Sequence, residues 1–123
     1  MKSISFAVLA AVLFAAGPAL AAPTIVTPGL SQSGGNVLCF VVNVSQTKAL
    51  TVEIEIRSIA GVVLDASPQT QVPAGGATFW GSASDNSRFC LVRVLKGGRS
   101  NAIVSFETLD DLGKPTAAVQ AIR

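Results

Sequence analysis

The stretch LTVEIEIR, Leu50 to Arg57, alternates without a break. Val52, Ile54 and Ile56 fall on one side, and Thr51, Glu53, Glu55 and Arg57 on the other. A period of two over the whole run fits a strand with one buried face and one wet face. Such a strand needs neighbours and a covering layer, so this run commits the chain to a sheet. The rest of the sequence repeats the signal in short pieces. After the turn Ser58-Ile59-Ala60-Gly61, VVLDA predicts the second arm of a hairpin. Pro68 and Pro73 bracket QTQV and allow at most a brief edge strand there. ATFWGSAS, Phe89–Leu95, NAIVSFETL and TAAVQAI read as further strands, separated by Gly-, Pro- and Asp-rich turns. An N-terminal TIVT adds one more before the flexible SQSGG. About seven or eight short strands at regular spacing predict an all-β, antiparallel sandwich, not a parallel sheet alternating with helices. The glycine pairs are expected to be hairpin turns; no helix follows them, so they are not phosphate loops. There is no internal repeat and no sign of a second domain.

The first residues have a different character. Lys2 precedes an apolar run from about Ile4 to Ala16, Gly17-Pro18 break it, and Ala19-Leu20-Ala21 forms an A-x-A cleavage site. This is the layout of a secretory signal peptide over residues 1–21. The run is shorter than the ~20 apolar residues of a spanning helix, and no charged stop follows. No membrane span is expected after cleavage. The remainder, 22–123, is the size of a single domain. The expected location is therefore periplasmic or extracellular, and the short leader with its Ala-rich end is bacterial in style.

Two cysteines sit in the strand-like runs GNVLCFVVNVSQ and SRFCLVRVLKGG. In an oxidising compartment they are expected to form one Cys39–Cys90 bridge. A thiol nucleophile would need an activating base, and a zinc site more ligands, yet the chain has no His. The loop closed is about fifty residues long, for which chain entropy predicts roughly 4 kcal/mol of stabilisation. Cys90 shares a side with Val92 and Val94, while Phe89, Leu91, Arg93 and Leu95 share the other. Arg93 marks that other side as wet, so Cys90 points inward. In the first run Val37, Cys39 and Val41 oppose Leu38, Phe40, Val42 and Val44, and both sides are apolar. Either this strand is covered on both sides, or its outer side is an exposed apolar patch of the kind that marks an interaction site. Val52, Ile54, Ile56, Val92 and Val94 are the expected inter-sheet core. Leu38, Phe40, Phe89 and Leu91 are the candidate interaction surface, contiguous if the two strands share a sheet and split if a bridge between sheets joins them.

The C-F-V-V-N-V run, the V-E-I-E-I hairpin, the V-P-A-G-G turn and F-C-L-V-R-V with its G-G turn resemble a widespread group of small exported uncharacterised bacterial proteins. That resemblance covers nearly all of the chain after the leader. It implies an immunoglobulin-like β-sandwich and no assigned chemistry. True immunoglobulin domains are a weaker match: Trp80 lies ten residues before the second cysteine instead of after the first, and there is no Tyr to form a tyrosine corner.

Little chemistry is legible. Without His or Tyr the common general bases are missing. Glu53 and Glu55 share a wet face and could be imagined as a hydrolytic carboxylate pair, but are expected to pair with arginines of a neighbouring strand. Asp110-Asp111-x-Gly and Asp85-Asn86-Ser87 lack the spaced oxygens of a calcium loop and read as turns. No metal and no cofactor is expected. Arg88, Arg93, Lys96 and Arg99 concentrate positive charge around one strand and its turn. They could hold an anionic polysaccharide or an acidic protein, or pair with Glu53, Glu55 and Glu107. The overall charge is nearly balanced, which offers nothing to nucleic acid. The sequon Asn43-Val44-Ser45 could carry a glycan in a eukaryotic secretory pathway, but with a bacterial-style leader it is expected to hold a structural Asn at a strand end. The expectation is therefore a non-enzymatic exported sandwich that acts by surface interaction. A structural subunit of a pilus or surface assembly, or a small secreted enzyme inhibitor, is the alternative.

Overall fold

The computed structural model describes residues 22–31, 34–83 and 86–121. The proposed leader lies outside them. Among the described residues there are nine strands: β1 Thr24–Val26, β2 Asn36–Asn43, β3 Leu50–Ser58, β4 Val63–Ala66, β5 Thr70–Val72, β6 Ala77–Ala83, β7 Arg88–Lys96, β8 Ala102–Leu109 and β9 Pro115–Gln120. They build two antiparallel sheets. The first runs β1-β7-β3-β4, with β5 also pairing with β3; the second runs β6-β2-β8-β9. No described helix is long and apolar enough to cross a membrane.

The alternation of β3 survives intact. Leu50, Val52, Ile54 and Ile56 are buried, and the residues between them are half-buried on the outer side. β7 mirrors it, with Cys90, Val92 and Val94 inside. From the second sheet Val37, Cys39 and Val41 of β2 and Ala102, Val104 and Phe106 of β8 complete the core. Phe106 is the largest fully buried side chain. The β3 and β7 core was named from the sequence but Phe106 was not, although Ser105 and Glu107 on either side of it mark its side as the buried one.

Cys39 and Cys90 are bridged, with Cα atoms 6.1 Å apart. Because β2 belongs to the second sheet and β7 to the first, the bridge ties the layers together through the core. Trp80 adds a second tie at one flank. It stands opposite Cys39 in the β2–β6 ladder, packs against the core, and donates from Nε1 to Asp65 Oδ1 of β4 at 2.9 Å.

The glycine pairs correct the sequence reading. Gly34-Gly35, Gly75-Gly76 and Gly97-Gly98 do not close hairpins. Each lies on a connection from a strand of the first sheet to a strand of the second: β1 to β2, β5 to β6, and β7 to β8. The hairpins that do exist, β3–β4 and β8–β9, use the single glycines Gly61 and Gly113. One of these passages runs close against other backbone. At Gly97, with φ at 96°, a Cβ would come within 2.4 Å of the Ala49 carbonyl oxygen. Only glycine fits there.

Candidate functional site

The cysteine strands lie in opposite sheets, so Leu38 and Phe40 do not join Phe89 and Leu91. The contiguous surface is excluded and the split one obtains. Leu38 and Phe40 face outward from the second sheet, Phe89 and Leu91 from the first. The first outer face mixes charge with apolar residues, Val26 among them at 48% exposure, and the second is nearly uncharged.

On the first sheet Leu91 stands between Val26 of β1 and Glu55 of β3, and Phe89 stands opposite Arg57. Glu55 is the centre of this face. Arg93, from the neighbouring β7, and Arg57, two residues along β3, both bind its carboxylate; Arg57 Nε donates to Oε2 at 2.7 Å and Arg93 Nη1 to Oε1. Partial burial pushes the Glu55 carboxyl up, but the hydrogen bonds and charges of Arg93 and Arg57 outweigh it, and its pKa lies below the ordinary glutamate value. Glu53 stands opposite Arg93 in the ladder, on the same face. The carboxylate thus works as the acceptor of a two-arginine clamp.

The second sheet presents Leu38, Phe40 and Val42 of β2, Ala77, Phe79 and Gly81 of β6, and Ile103, Ser105 and Glu107 of β8. Phe40 and Phe79 are directly paired, with ring centroids 5.8 Å apart and planes tilted by 42°. Leu38 lies over Gly81, where a Cβ would meet its Cδ2 at 2.6 Å. Val42 is flanked by Ala77 and Ile103. Phe79 is 59% exposed and Val42 37%. Among the strand residues of this face Glu107 carries the one charge. Phe79 and Ile103 were missed by the sequence reading. In β6 small and apolar residues fall on both sides, so alternation does not say where Phe79 faces; Ile103 shares its side with Ser105 and Glu107, a signal that was there to read.

The four basic candidates separate. Arg93 is held in the Glu55 clamp. Arg88 begins β7, opposite Ser58, and its Nε is buried without a hydrogen-bond partner among the described residues. Lys96 and Arg99 lie eight and eleven positions further, at the other end of the sandwich, beside the β2–β3 turn that carries Lys48. That end is organised by Asn43, only 1% exposed. Its Nδ2 donates to the carbonyls of Lys48 at 2.7 Å, Val72 at 3.1 Å and Pro73 at 3.2 Å, and its Oδ1 accepts from the Ser45 backbone at 3.0 Å. The asparagine of the sequon is therefore the structural residue its position at the end of β2 suggested. Asp110 and Asp111 are turn residues. Asp110 Oδ1 accepts from the Leu112 and Lys114 backbones, and Asp111 Oδ1 from Gly35 at 3.0 Å, which latches the β8–β9 turn onto the start of β2.

No protein-family model, no curated protein and no solved structure matches this chain.

Proposed function

We propose that this chain is an exported, non-catalytic β-sandwich that acts by binding, and that the outer face of the second sheet is its binding surface. One observation carries the reading: a nearly uncharged apolar face, with the aromatic pair Phe40–Phe79 on its β6–β2 side and Phe79 more than half in water. Exposed contiguous apolar surface of this kind marks interaction sites. Desolvated aromatic anchors supply most of the affinity in such contacts. Export is supported by the leader-like N-terminus and by a disulfide. The sequence offers no His or Tyr as a general base and Glu55 is taken up by two arginines, which favours binding over catalysis. The immunoglobulin-like reading draws on the bridge between the second strand and a later strand of the opposite sheet. It is strained by β8, which pairs with β2; in an immunoglobulin sandwich the strand after the second cysteine strand stays beside it.

The test is a pair of surface variants. Phe40→Ser with Phe79→Ser should leave the melting transition cooperative and abolish capture of the partner from periplasm or spent medium. Glu53→Gln, on the opposite face, should leave capture intact. Equal loss in both variants, or no loss in the first, would refute the assignment of the face.

A further inference from the structure

Open sheet edges invite pairing, and proteins blunt them with short strands, prolines, bulges and charge. Three edges of this molecule are blunted. β1 has three residues. β4 has four residues, carries Asp65 and pairs through a register shift, while β5 has three residues between Pro68 and Pro73. β9 starts at Pro115 and also pairs through a register shift. β6 has none of these devices. Its seven residues, ATFWGSA, pair with β2 in one uninterrupted register and include no charge and no proline.

The direction of its free groups follows from one bond. Asn43 N donates to Gly76 O at 2.9 Å, so Thr78, Trp80 and Ser82 turn their backbone groups toward β2. Ala77, Phe79, Gly81 and Ala83 turn theirs away from the sheet. From this edge we infer that β6 pairs antiparallel with β6 of a second copy of this chain. The partner is the same chain because the edge is its own complement. A two-fold axis at Trp80 sets Phe79 opposite Gly81 of the other copy, and Ala77 opposite Ala83. Phe79, the largest of the four outward residues, then faces the one without a side chain, Trp80 meets its own copy across the axis, and no like charges meet. All four outward residues find partners, for about eight inter-strand hydrogen bonds. The second sheet becomes one eight-stranded sheet, and the apolar faces of the two copies run on continuously. This inference stands on the edge, and the proposed binding face could fail without it.

Sedimentation velocity of the chain over a range of concentrations tests it, with charge placed where the register puts it. The parent should show a monomer–dimer equilibrium. Ala77→Lys with Ala83→Lys sets lysine against lysine at both ends and should weaken the dimer by about tenfold or more. Ala77→Glu with Ala83→Lys sets opposite charges together and should restore it. Phe40→Ser, on β2, should leave the dimer in place. Should the double-lysine variant fail to fold, Ala77→Glu with Ala83→Lys must still associate more tightly than Ala83→Lys alone. A parent that stays monomeric at all concentrations overturns the inference. So does self-association that the charge variants do not change, or an edge that takes up an unrelated extended peptide while the chain remains monomeric.

Discussion

The two outer faces of this sandwich are built on similar strands and end up with different work. β3 and β7 put Glu53, Glu55, Arg57 and Arg93 on the first face, and β2, β6 and β8 put Leu38, Phe40, Val42, Phe79 and Ile103 on the second. Both sheets contribute inner residues to one core, so the difference lies on their outer sides. The first face is closed chemistry at its centre: Glu55 is already bound, twice, by Arg57 and Arg93. The second face leaves apolar area in water. Such area contributes nothing to folding where it stays wet and contributes to association when a partner covers it. A face that satisfies itself is surface, and a face that does not is a candidate for contact.

Four measurements bear on the two faces. The largest effect concerns what holds the faces back to back. Cys39→Ala with Cys90→Ala removes the tie between sheets and should lower stability by roughly 4 kcal/mol, read from denaturant unfolding. A loss near zero would mean that the layers do not depend on it. Next, Glu55→Ala leaves two guanidiniums side by side without their shared acceptor and should cost about 1–3 kcal/mol. The matching change on the other face, Phe40→Ser, removes a half-buried ring with no polar partner and should cost about 1 kcal/mol. A loss of ~3–5 kcal/mol would place Phe40 in the core and remove it from any binding surface. The smallest effect is that of acid. The folded pKa of Glu55 lies below the ordinary 4.5, so its clamp is fully formed above that value. The contribution should be lost as pH falls through the folded pKa, and Glu55→Ala should show a flatter acid limb in thermal melts. An unchanged limb would show that the clamp adds no stability.

The strands themselves were largely legible in the sequence. Alternation placed Ile54 inside and Glu55 outside, and the bracketing prolines kept β5 short. The cysteines announced their own pairing. What alternation cannot convey is which strand lies beside which, because sheet membership is set by contacts distant in sequence. Hence Phe40 and Leu91 could be assigned to outer sides but not to the same or opposite faces. The glycine pairs misled for the same reason: Gly97-Gly98 marks a reversal, and whether a reversal stays within a layer depends on where β8 finds its partner. Phe79 carried no usable signal at all. It lies on the outer side of an edge strand, with a neighbouring strand on one flank only.

Asn43 has a consequence for anyone producing this protein in a host that decorates sequons with sugar. The atom an oligosaccharide would occupy is the same Nδ2 that faces three carbonyl oxygens in the interior. Its two hydrogens are already shared among them. A glycan and the native turn cluster therefore exclude each other, and modification can happen only before β2 docks. In such a host the sugar becomes a timestamp. Molecules that carry it were caught unfolded by the transferase, and those without it had closed their chain first.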